Sequence, residues 1–113
     1  MPHLTLRHSG NLAEINFIPF FQKAHEILCN TIQVRPSSCS SMVTPYQQYL
    51  FGDGESDIVF VHLDVLVKAG KNPESLNQVS QNLLTVLSDY LISKNIAKIK
   101  VSVHVFETSY FAS

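Results

Sequence analysis

The residue with the clearest chemical potential is Pro2, which follows the initiator methionine in the opening Met1-Pro2-His3. Met-Pro is a context from which methionine is removed, leaving a chain that opens on a free secondary amine. An unperturbed α-amino group titrates at about 7.7–8.0. Burial or a neighbouring cation lowers that value, because the charged form loses water or is repelled. A neutral amine near pH 7 accepts a proton as a general base, and its conjugate acid returns it elsewhere. Position alone favours a plain role over this one, since small residues are common after Met1.

The other reactive side chains are spaced less suggestively. His3, His8, His25, His62 and His104 show neither i,i+4 nor H-x-H spacing, so no metal site is expected. His62 and Asp64 share one strand face and read as a polar pair at a subunit interface, with acid/base work as the alternative. Ser37, Ser38, Ser40 and Ser41 form a polar run without the G-x-S-x-G of a nucleophile elbow. No G-x-G-x-x-G or G-x-x-x-x-G-K-[ST] loop occurs, and no cofactor is expected. Cys29 and Cys39 fit neither a disulfide framework nor a zinc spacing, and free thiols suit the cytoplasm.

The elements that would position these groups follow from periodicity. His3 to His8 alternates Leu4 and Leu6 against Thr5 and Arg7, as a half-buried strand does. Ser9-Gly10-Asn11 is a turn. Apolar residues from Phe17 then recur at Ile18, Phe20, Phe21, Ala24, Ile27 and Leu28, with Asn16 as cap and Pro19 in the first turn. Cys39 to Tyr46 reads as a weak strand ended by Pro45. Gly52-Asp53-Gly54 turns the chain into Asp57 to Val67, whose near-continuous apolar run suggests a mid-sheet strand covered on both faces. Asn72-Pro73-Glu74-Ser75 starts a second helix with Leu76, Val79, Leu83, Leu87, Tyr90 and Leu91 on one stripe, ending near Lys94-Asn95. Ile99 to Phe106 is the last strand.

The order βαββαβ predicts an α+β two-layer sandwich, a four-stranded mixed sheet with two helices on one face. Each strand–helix–strand unit should join parallel strands. That arrangement leaves the other sheet face bare, and association of copies is the economical way to cover it.

The chain has 113 residues, enough for a single domain over 1–113. Charged residues make up 15%, below the usual ~25%, against 45% hydrophobic, which excludes intrinsic disorder. Eight basic against nine acidic residues give a net charge of −1, so no sequence-independent grip on nucleic acid is expected. The longest apolar run, Ile58 to Val67, is interrupted by His62 and Asp64 and is too short to span a membrane. The amino terminus lacks the pattern of a signal peptide. A soluble, cytoplasmic protein is expected.

Several of these residues together carry a resemblance. Pro2-His3 opening a strand, Ser9-x-Asn11-x-x-Glu14, Pro19, and the string Asp53-Gly54-x-x-Asp57-x-x-Phe60-Val61-His62 resemble the 5-carboxymethyl-2-hydroxymuconate Δ-isomerase family of the tautomerase superfamily. The likeness runs from Pro2 to about Leu91, with one residue missing around Ser37 to Cys39, and fades over the last strand.

The resemblance implies a homotrimer with sheets facing inward, Pro2 as acid/base, and a 1,3-proton shift on a small unsaturated carboxylate substrate. It also implies cationic side chains that hold substrate carboxylates. On the second strand, where an arginine is expected, this chain offers Ser40, or Met42 under another placement of the gap. After the third strand it has Lys71, which keeps the charge but not the planar fork of arginine. Arg7 and Arg35 are possible substitutes, and Tyr49 sits where an aromatic wall is plausible. The alternative from another class is a non-catalytic trimer that kept the scaffold and binds a small ligand or partner.

Overall fold

A computed structural model of the chain describes residues 2–54 and 58–106. Strand β1 (His3–Ser9) buries Leu4 and Leu6 and turns Thr5 and Arg7 to the opposite face, as its alternation requires. At Gly10 an added Cβ would lie 2.9 Å from the Tyr46 carbonyl oxygen, so only glycine fits this turn.

Helix α1 (Ile18–Ile32) buries Phe20, Phe21, Ala24, Leu28 and Ile32. The cap position falls on Phe17 and not on Asn16 as expected, but Asn16, one residue earlier, still helps: its Oδ1 accepts the Ile18 N–H at 3.0 Å, satisfying one of the donors left open at a helix start. The helix stops where Gln33 takes a left-handed φ of 50°. A 3-10 turn, Pro36–Ser38, leads into β2 (Ser40–Tyr46). This strand starts one residue later than the sequence suggests and continues through Pro45 instead of ending there. Its place at the edge of the sheet explains the difference, since one side of an edge strand carries no ladder for a missing N–H to break.

Strand β3 (Phe60–Lys68) lies between β1 and β4, so the mid-sheet expectation holds. It starts later than predicted, and Asp57 lies outside the described residues. The expectation of two covered faces does not hold within one chain. Val61, Leu63, Val65 and Val67 are buried, whereas His62, Asp64 and Leu66 are only half-buried on the other face.

Helix α2 (Pro73–Tyr90) is capped by Asn72, whose Oδ1 accepts the Glu74 N–H at 2.8 Å. It ends before Lys94 because the Leu91 N–H is shared between the carbonyls of Leu87 and Ser88, which tightens the last turn. Strand β4 (Lys98–Phe106) completes the sheet.

The strand order is β2-β1-β3-β4. β1 pairs parallel with β2, β3 pairs parallel with β4, and β1 and β3 run antiparallel. This is the predicted α+β sandwich with a mixed four-stranded sheet. Leu4, Leu6, Leu63 and Val65 from the sheet pack in one cluster with Phe20, Leu28, Leu83 and Leu87 from the helices. Each such side chain contributes about 1.5–3 kcal/mol by leaving water. The helix layer covers one face only, and the open face carries Thr5, Arg7, Asp64 and Ser102.

Candidate active site

Three strand ends meet at one end of the sheet. His3 stands opposite Ser40 at the start of β2 and opposite Leu66 near the end of β3. Pro2 is buried there, and its carbonyl accepts the Ser40 N–H at 3.1 Å. The backbone at Pro2 is thus held by a neighbouring strand before β1 formally begins. Ser40 is fixed twice, because its Oγ also shares a hydrogen bond of 2.5 Å with His3 Nδ1. Pro2 and Ser40, named from sequence, are brought together.

A second hydroxyl–imidazole pair lies alongside, with Ser41 Oγ and His25 Nε2 sharing a bond of 2.6 Å. Burial lowers the His25 pKa, which favours the neutral ring. Burial first, and the neighbouring Cys29 thiol second, push the Cys39 thiol up. A raised thiol stays protonated and is a poor nucleophile.

Lys71 follows β3 and so lies toward the same end of the sheet, but its ammonium is engaged. Nζ donates to the carbonyl of Ile32 at 3.0 Å, placing a cation on the carboxyl end of α1, where the helix dipole welcomes it. Two of its three N–H donors remain for another partner. Tyr49 is not brought to Pro2. Its hydroxyl donates to the Ile58 carbonyl at 2.8 Å, and its ring meets Phe60 edge-on at 5.0 Å. Phe60 starts β3, and its N–H donates to Ser9 Oγ at the far end of β1. At about 3.3 Å per strand residue, the seven residues of β1 put roughly 20 Å between the two ends.

The structure also gathers charges that sequence reasoning did not. Asp64 takes Arg7 Nη2 at 2.8 Å and faces His104 Nε2 at 3.4 Å. The suggested His62–Asp64 pair is therefore replaced. His62 instead packs against Phe60 and Phe51, with ring centroids 5.0 and 6.1 Å away. Burial lowers its pKa most, followed by the charges of Arg7 and Lys100. The period of two put Arg7 and Asp64 each on a strand face, and only the sheet order makes them neighbours.

The profile of the 5-carboxymethyl-2-hydroxymuconate isomerase family matches residues 2–110. The chain belongs to that family. Membership supports an isomerase or tautomerase activity and agrees with the sequence resemblance. A search of curated protein sequences finds no match.

Solved structures place this family member among related folds. A crystal structure of a 5-carboxymethyl-2-hydroxymuconate isomerase from Deinococcus radiodurans R1 superposes with a TM-score of 0.78 at 22% identity, covering 99% of this chain and 90% of that one. Another 5-carboxymethyl-2-hydroxymuconate delta-isomerase gives 0.78 at 14% identity, covering 100% and 87%. A fused 4-OT wild-type symmetric trimer gives 0.77 at 12%, covering 98% and 90%. At these identities the likeness carries the fold. Among the described residues, no helix is long and apolar enough to cross a membrane.

Proposed function

We propose that this family member is a cofactor-free tautomerase that moves a proton between 1,3-related atoms of a small unsaturated 2-hydroxy or 2-keto acid, with Pro2 as the acid/base. One observation carries the reading: Pro2 is buried at the head of β1, its carbonyl tied to Ser40, in a chain of an isomerase family. Once Met1 is removed, burial favours the neutral amine, as the mechanism requires. The nitrogen lone pair takes the 2-hydroxyl proton of the enol. The electrons of that O–H bond form the C=O bond, and the displaced C=C pair takes the proton back from nitrogen at carbon. Nothing is gained or lost in the cycle.

Ser40 and Lys71 are the candidate contacts for the substrate carboxylate, Lys71 through the donors that Ile32 does not use. Tyr49 belongs to the site only if another copy of the chain supplies it, because in one protomer it stands at the far end of β1. A homotrimer is the assembly we favour, with the whole chain as one domain. The half-buried open face would then be covered, and one related fold is described as a symmetric trimer. Two free thiols suit a reducing cytoplasm.

The same observations favour a second reading, a non-catalytic trimer that binds a small ligand. Ser40 carries no charge, and Lys71 is already bonded to a helix end. Ketonisation of phenylenolpyruvate separates the two. A processed chain, one methionine lighter by intact mass, should catalyse it, and Pro2→Ala should weaken it. A processed wild type with no rate above buffer would favour the ligand-binding reading.

A further inference from the structure

The open sheet face holds a depression of about 540 Å³ that begins at His3, next to Pro2, and runs across the sheet to Arg7 and Lys100. Arg7 from β1 and Lys100 from β4 line it, with the hydroxyls of Thr5 and Ser102 between them. Its one carboxylate, Asp64, is already divided between Arg7 at 2.8 Å and His104 at 3.4 Å. Two permanent cations thus face one anion, and Lys100 makes no ion pair among the described residues.

A second observation points the same way. Arg7 Nε is buried and has no hydrogen-bond partner among the described residues, although the Nη2 of the same guanidinium meets Asp64. A buried donor left unmet is costly, and a charged one more so. The excess of positive charge also reaches His62, which stands opposite both Arg7 and Lys100 in the sheet register. After burial, those two cations are the largest causes that lower its pKa.

We propose that this depression binds a small oxyanion of phosphate size, with the Arg7 guanidinium and Lys100 Nζ as charged donors and the Thr5 and Ser102 hydroxyls as neutral ones. Guanidinium and ammonium groups make their strongest hydrogen bonds to such anions. The binding stands on the open face itself. Where copies of the chain associate through that face, the anion becomes enclosed and tightens the assembly by the same contacts.

The test is the thermal unfolding midpoint of the full chain in inorganic phosphate, compared with chloride at equal ionic strength, with succinate in a parallel arm. At ten times its dissociation constant, a ligand of the native state raises the midpoint of a chain this size by roughly 5 °C or more. Lys100→Gln should abolish the rise, while Lys23→Gln, an exposed change on α1, should keep it. Lys100 is exposed and unpaired, so its replacement leaves the fold in place. A larger rise in phosphate supports a site of phosphate size, and a larger rise in succinate overturns that size in favour of an organic dicarboxylate. An equal rise in wild type and Lys100→Gln, or none in either anion, overturns the proposal. Sedimentation of the same samples reports the trimer separately, so a monomer that still responds to phosphate would contradict the assembly and leave the anion site standing.

Discussion

Replacing Ser40 by arginine should move substrate preference from a monoacid toward a polyacid. Ser40 is the Cα partner of His3, and its backbone N–H holds the Pro2 carbonyl at 3.1 Å. A side chain at position 40 therefore projects beside Pro2, and the backbone bond survives substitution. The Ser40 Oγ–His3 Nδ1 bond of 2.5 Å is lost, at a cost to stability of about 0.5–1.5 kcal/mol. The gain is a guanidinium that can pair with a substrate carboxylate, worth about 1.5–3 kcal/mol. At about 1.4 kcal/mol per decade, this is roughly ten- to a hundred-fold in kcat/KM. The assay compares kcat/KM for 5-carboxymethyl-2-hydroxymuconate and for phenylenolpyruvate in wild type and Ser40→Arg. Wild type should be relatively poor with the muconate, and the variant should shift the ratio by at least about tenfold toward it. If wild type already favours the polyacid strongly and the arginine changes nothing, another residue supplies the charge and the assignment of position 40 is refuted.

Lys71→Ala should lower the urea midpoint by an amount equivalent to about 1–2 kcal/mol, since the carboxyl end of α1 loses its cation at Ile32, and should reduce kcat/KM for both acids. An unchanged rate with a lowered midpoint would leave Lys71 a structural role alone. Stability should fall between pH 7.5 and pH 5.5, because His25 and His62 are held below the ordinary value of 6.5 and the unfolded chain takes up their protons first. The stability is present above that value and is lost as pH falls below it. Urea midpoints at the two pH values check this, and the double variant His25→Gln/His62→Gln should flatten the difference. Leu63→Ala, at a fully buried position of β3, should cost about 3–5 kcal/mol by calorimetry or urea unfolding. A loss below 1 kcal/mol would mean the sheet–helix core is not packed as described.

Much of the scaffold is legible in the chain because its signals are local. Asn72-Pro73 marks the start of α2 through a cap and a proline whose missing N–H no helix start needs. The alternation of Leu4 and Leu6 with Thr5 and Arg7 marks β1 and its faces. Pro45 misled because a proline ends a central strand but not an edge one, and edge position is a property of the assembled sheet. The apolar run of β3 suggested two covered faces, yet its odd positions alone meet the helices. At the site, Pro2 and Ser40 were legible as types and meet because β1 and β2 run parallel in this register. The bond from Lys71 to Ile32 spans 39 residues, and that from Tyr49 to Ile58 closes a loop on itself. Neither has a periodic signal. The Arg7–Asp64–His104 contacts needed three strands in their spatial order before any spacing could show them.

The central claim is that a free amine at Pro2 carries the proton, and the direct test compares two forms of one protein. One form is processed to Pro2. The other retains Met1, which turns the Pro2 nitrogen into an amide without a basic lone pair. The rate of phenylenolpyruvate ketonisation is followed against pH for both. The processed form should gain activity as the amine loses its proton, with an apparent pKa below the usual 7.7–8.0 of a free terminus, and the Met1 form should be inactive throughout. Equal rates with Met1 attached would remove Pro2 from the chemistry.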